Sequence, residues 1–151
     1  MSNKTAILVL LGFSVLLLVG CTQAGQNPTT GNNTLPADNS NNSPAALSAT
    51  VHITATGYDP QNVTVKKGGT VTWINDTDTP NWPATAQHPT HTKYPGSGIE
   101  KCGTAEQATI FDACKGLAKG ESFAFKFDDV GQWGYHEHLS VKMFGKVNVI
   151  E

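Results

Sequence analysis

An all-β sandwich or barrel is the fold this sequence predicts, and three observations carry the prediction. Apolar residues recur with period two in several short runs. Gly, Pro and Asp separate those runs at positions suited to turns. No segment sustains the 3.6-residue period of an amphipathic helix, so a helix bundle is a poor match.

The elements follow in chain order. Val51, Ile53 and Ala55 alternate with polar residues, which places a first strand there. Val63 and Val65 begin a second run, which ends at Lys67-Gly68-Gly69, read as a turn. Val71 and Trp73 lead a third run to Asn75. Phe123, Phe125 and Phe127 form the clearest stripe, with Ser122, Ala124, Lys126 and Asp128 between them. Gly131 opens a strand through Trp133 and Tyr135, and residues 146–150 close the chain. Between Asn75 and Gly120 the strand signal is weak, in a connection far longer than the usual roughly 4–6 residues. That connection carries Trp82, Tyr94, Phe111 and four prolines, so it is expected to be ordered and functional. A short helix is expected over 104–117, with Thr104 as its N-cap and Glu106 and Gln107 in its first turn.

The flanks read differently. Lys4, the apolar run 6–19 and the ending Leu18-Val19-Gly20-Cys21 form a lipoprotein signal, with residues 1–20 removed and Cys21 carrying the lipid. The apolar run is shorter than the roughly 20 residues of a spanning helix, so an uncleaved anchor is the weaker alternative. Residues 21–46 are rich in Asn, Ser, Thr, Gly and Pro and are expected to be a flexible tether, leaving 47–151 as one folded domain. This places the domain outside the cytoplasm, lipid-anchored to the cell membrane on its periplasmic or cell-surface face. In that oxidising setting Cys102 and Cys114 are expected to pair as a disulfide, with a thiolate copper ligand as the alternative. The net charge is -2 and no Lys/Arg run exists, so nucleic acid is not an expected partner.

Four of the five histidines fall in two tight pairs. His136 and His138, at i and i+2 in a strand, project to one side about 6–7 Å apart and can share a metal. His88-Pro89-Thr90-His91 has a proline-stiffened spacing that can present both imidazoles from a loop. Together they suit Cu(II) or Zn(II) by ligand type. The competing reading makes them hydrogen-bonded clamps that pin the long connection to the barrel end. His52 alternates with Val51 and Ile53 and reads as a solvent-facing strand residue. Glu137 points away from its two neighbours, as a partner of the ligands, an intruding carboxylate or a surface residue. Trp73, Trp82 and Trp133 are expected to be core and loop anchors, and Asp128-Asp129 a turn.

Several segments together resemble the cupredoxins, the copper-protein family of plastocyanin, amicyanin and azurin. They are Gly57-Tyr58-Asp59-Pro60, the run from Val63 through Lys67-Gly68-Gly69-Thr70 to Trp73, Asn75, Gly120-Glu121-Ser122-Phe123, Gly131-Gln132-Trp133-Gly134-Tyr135 and Met143-Phe144-Gly145-Lys146-Val147. The resemblance implies a Greek-key β-sandwich and a copper site at one end. The family binds copper through an early His and then Cys, His and Met in the loop before the last strand. On this chain those positions fall at Asn81, Glu137, Ser140 and Met143, so only the Met is kept. A blue-copper centre needs a thiolate with two imidazoles, and this chain does not offer one there. Trp133-Gly134-Tyr135-His136-Glu137-His138 also resembles the Trp-Tyr-His-x-His element of multicopper oxidases. The combination of Trp82-Pro83-Ala84, His88-Pro89-Thr90-His91, Tyr94-Pro95 and Tyr135-His136-Glu137-His138-Leu139 is similar to a set of exported, Cys-less cupredoxin-like domains.

The expectation is therefore a membrane-tethered copper protein whose ligands are His136, His138, His88 and His91, with Met143 as a soft axial ligand or a packed residue. Its expected role is copper handling or electron transfer with a redox or copper-delivery partner. No catalytic residue is assigned. Two other classes stay open: a small copper or zinc enzyme with an open coordination position, and a metal-free interaction module on the same scaffold.

Overall fold

A computed structural model describes residues 45–140 and 142–151. The expected signal peptide, Cys21 and nearly all of the tether lie outside the described residues. Among the described residues there are seven strands: β1 (Ala46–Thr54), β2 (Gly57–Asp59), β3 (Asn62–Asn75), β4 (Pro83–Thr85), β5 (Ser122–Phe127), β6 (Gly131–Glu137) and β7 (Phe144–Ile150). The fold is the all-β sandwich that the alternating stripes predict.

β3 builds the two layers. Its residues 62–66 run parallel to β7, which carries antiparallel β6 and then β4 on its far side. Its residues 69–75 lie between parallel β1 and antiparallel β5, and β2 completes that layer on β1. The change of partner falls at Lys67-Gly68-Gly69, which the sequence presents as a turn between two strands. The chain instead runs through as one long strand, with Gly68 at φ 79 and a register shift against β1. A side chain would resist that backbone twist, and glycine does not.

Period-two alternation then buries one side of each layer. Val51, Ile53, Val71, Trp73, Phe125 and Phe127 face Val63, Val65, Tyr135, Val147 and Val149 in a single core. Trp73 is its centre, with ring centroids 5.0 Å from Phe111 and 5.2 Å from Tyr135. Each such buried side chain contributes roughly 1.5–3 kcal/mol relative to exposure.

The long connection is ordered, but not as the expected helix over 104–117. Only two short 3-10 turns form, at Ile99–Lys101 and Gln107–Thr109. Thr104 does not cap a helix; its hydroxyl accepts the Glu106 N–H in a local turn. Beyond Thr109 the chain becomes extended because β4 captures it. The N–H of Thr85 donates to Phe111, and that of Ala113 donates to Pro83. A helix there would surrender these bonds and lift Ile110, Phe111 and Leu117 out of the core, where all three are buried. Cys102 and Cys114 close the connection as the expected disulfide, with Cα atoms 5.3 Å apart.

Candidate metal centre

β6 gives the site its geometry. His136 lies across from Ala84 in β4 and Glu137 across from Pro83, so the sheet edge turns the two neighbours to opposite sides. The His88/His91 segment folds over the His136 side. There a donor atom from each of His88, His91, His136 and His138 lies within 4.8 Å of the other three. All four imidazoles expected from the sequence are thus brought together.

The two pairs interleave. Across pairs the ring centroids are 4.8 to 5.4 Å apart. Within each pair the separation is 6.3 Å. Equal diagonals longer than the sides describe a shape between a square and a tetrahedron. His91 and His136 are buried, His138 is partly covered and His88 is exposed at the rim. His91 adopts a left-handed backbone (φ 55), a conformation His tolerates better than most residues.

The nitrogens are not equally satisfied. His138 Nδ1 and His91 Nε2 are 2.9 Å apart, and His91 Nδ1 lies 2.5 Å from an Asp112 carboxylate oxygen. Both ring nitrogens of His136 are buried without a hydrogen-bond partner. An unpartnered buried donor or acceptor costs about 1–3 kcal/mol. Burial, then the neighbouring His91, His88 and His138, push the His136 pKa down to about 4. Burial and the same kind of neighbours lower His138 as well. Both are therefore held neutral at pH 7, the form in which an imidazole binds a metal.

Two contributors escaped the sequence reading. Asp112 lies inside the segment expected to be a helix, and its role comes from contacts with His91 and Trp82, which are distant in the chain. Trp82 is more than a packing anchor. Its indole N–H donates to Asp112, and its ring lies 4.4 Å from that of His138.

The family's usual ligand positions gather elsewhere. Asn81, Glu137, Ser140 and Met143 line one open cleft on the other side of β6. Met143 lines the cleft on the Glu137 side and packs against the core. Asn81 is buried, and its amide donates to Asn75 and Thr77. Glu137 is only 1% exposed, which overturns the surface reading. Its carboxylate accepts the backbone N–H groups of Trp82 and Leu139. Burial raises its pKa, and those two bonds only partly oppose the shift. Both cysteines of the domain are in the disulfide, so neither supplies a thiolate. His52 sits on the outer face of β1 as expected, 2.7 Å from Asp76.

The sandwich together with a histidine-lined end defines a cupredoxin-like domain. Residues 45–150 match the profile of copper binding proteins of the plastocyanin/azurin family, and the chain belongs to that family. It is 31% identical over 94 residues to plastocyanin of Scenedesmus fuscus, covering 61% of this chain and 85% of that protein. It is 32% identical over 94 residues to chloroplastic plastocyanin of Tetradesmus obliquus, of which it spans 57%. Among solved structures, a purple cupredoxin from Nitrosopumilus maritimus aligns with 24% identity and a TM-score of 0.49, over 67% of this chain and 98% of that one.

Copper is the ion the family implies, and the residues fit it at the imidazole cluster. Four imidazole nitrogen donors suit Cu(II). The unpartnered nitrogens of the buried His136 supply the demand for a ligand there.

Proposed function

We propose that this protein holds copper in a four-imidazole, thiolate-free centre formed by His88, His91, His136 and His138, and serves copper handling or electron transfer at the cell envelope. The observation that carries the reading is His136, whose two ring nitrogens are buried amid three other imidazoles with no partner among the described residues. A clamp role would satisfy at least one of them. Bound copper would supply a Lewis-acidic, one-electron redox centre.

The chain's residues set the terms of that chemistry. The interleaved rings sit between the geometries that Cu(II) and a tetrahedral ion prefer, which supports retention of both copper oxidation states. Zinc is the competing ion for such a donor set. With no thiolate to couple the ion to a partner, binding and delivery of copper are favoured over rapid electron exchange. His88 at the exposed rim offers the route for loading and transfer. The lipobox at Leu18-Val19-Gly20-Cys21 and the Asn/Ser/Thr/Pro-rich segment after it support a lipid anchor and tether, with a copper donor or acceptor as the protein partner.

The test is a titration of the purified protein with Cu(II) and, separately, Zn(II), followed by EPR and visible absorption beside a His136→Ala/His138→Ala variant. One equivalent of Cu(II), a multi-nitrogen hyperfine pattern, no intense thiolate band and loss in the variant are expected. Binding no tighter than that of an exposed surface histidine would sink the reading.

A further inference from the structure

Asp112 has no place in the family's ligand pattern, yet it is buried at the back of the imidazole cluster. Its two oxygens are used unequally. Oδ1 accepts the Trp82 indole N–H at 2.5 Å and the Cys114 backbone N–H at 2.8 Å. Oδ2 faces only His91 Nδ1, at 2.5 Å. With Oδ1 already accepting two N–H bonds, the carboxylate is set as an acceptor, which puts the His91 proton on Nδ1. The lone pair of His91 is then on Nε2, the atom turned toward His138.

Three nitrogens converge on the Asp112 carboxylate, from the Trp82 indole, the Cys114 backbone and the His91 ring. A carboxylate in that place behind the imidazoles favours a cation among them.

We propose that Asp112 is the positioning residue of this centre: it locks His91 as the Nδ1–H tautomer, aims Nε2 at the ion, and ties the cluster to the disulfide-closed loop through Cys114. This rests on the four-imidazole reading for its metal consequence, but the tautomer assignment stands without any metal. A carboxylate behind a ligating histidine raises that ligand's basicity and fixes its ring, and its loss costs about 10–100-fold in metal affinity.

Asp112→Asn is the informative variant because it keeps the volume. Its single oxygen goes to the side with two donors, Trp82 and Cys114, so its NH₂ faces His91 and donates to Nδ1. That forces the His91 proton onto Nε2, the ligand atom. The experiment has two arms on full-length protein. Long-range 1H–15N NMR of the metal-free protein reads the His91 tautomer. Competition with a chelator of known Cu(II) affinity, using Cu(II) alone as the probe, reads binding. Near-UV circular dichroism and Tm establish that Asp112→Asn and Asp112→Ala fold.

The expected result is an Nδ1–H His91 in the parent, an Nε2–H His91 in Asp112→Asn, and Cu(II) affinity reduced about 10–100-fold. An Nε2–H tautomer in the parent overturns the proposal. So does Asp112→Asn with the parent's tautomer and affinity. If the parent keeps Nδ1–H but binds no Cu(II), the four-imidazole reading fails while the positioning of His91 by Asp112 stands.

Discussion

The carboxylate of Glu137 receives the backbone N–H of Trp82, at 2.9 and 3.1 Å from its two oxygens, across a separation of 55 residues. Through this contact the β6 end of the sheet grips the start of the long connection. Trp82 in turn packs on His138 and donates to Asp112. Glu137 is thus a structural hub on the side of β6 away from the imidazoles.

Glu137→Ala removes the acceptor for two backbone N–H groups, those of Trp82 and Leu139. The expected loss is about 2–4 kcal/mol, from buried donors left unpaired. Urea unfolding reads it from the midpoint, and Glu137→Gln, which keeps one acceptor oxygen, falls between Ala and the parent. An unchanged midpoint for Glu137→Ala would refute the hub.

Replacing His136 by Leu separates stability from binding. The imidazole carries two unpartnered buried nitrogens, and an apolar side chain of similar size carries none. The metal-free variant is expected to be more stable by about 1–2 kcal/mol, while Cu(II) binding is lost. Calorimetric melting with and without Cu(II) measures both. A destabilised metal-free variant would show that the His136 nitrogens are not left unpartnered.

The exposed His88 and the buried His136 should respond differently to truncation. His88→Ala is expected to retain Cu(II) through three imidazoles, with a weaker site, faster release to a chelator and a new response to added azide in EPR. His136→Ala is expected to lose the site. Equal losses in both would show that burial does not rank the ligands.

Metal-free stability should fall as the solution is acidified. The unfolded chain protonates His136 near its ordinary 6.5, whereas the folded chain holds it neutral to about 4. Between those values the unfolded state binds more protons, so the stabilisation is complete above pH 6.5 and is lost as pH falls through about 4. The expected loss over this window is on the order of 3 kcal/mol. The His136→Leu variant, lacking the group, should show a shallower fall in guanidinium midpoints over the same range.

Cys102→Ser/Cys114→Ser opens a loop of sequence separation 12. Loops of this size contribute about 2–3 kcal/mol when closed. Because Cys114 also donates its N–H to Asp112, Cu(II) affinity should drop along with Tm. A lower Tm with unaltered affinity would confine the disulfide to a purely conformational role.

What the sequence made legible was whatever is local. The Phe123/Phe125/Phe127 stripe specifies β5 because its period is written in consecutive residues. The His136/His138 pair was legible because a pleat puts i and i+2 together. β4 was not: Pro83-Ala84-Thr85 is too short to display a period, and it exists by pairing with β6. The continuity of β3 through Lys67-Gly68-Gly69 depends on two different partner strands, one on each side of those glycines. The helix expected over 104–117 lost to the extended pairing around Phe111 and Ala113. Asp112 and Glu137 draw their roles from Trp82, a residue distant from both in the chain, and no window of neighbours displays that.

The pleat of β6 has one more implication. Glu137 faces the cleft it shares with Asn81, Ser140 and Met143, while its neighbour His136 faces the other imidazoles. One ribbon of backbone therefore presents two chemically different faces side by side. Sharing the fold does not by itself say which of those faces carries a ligand set.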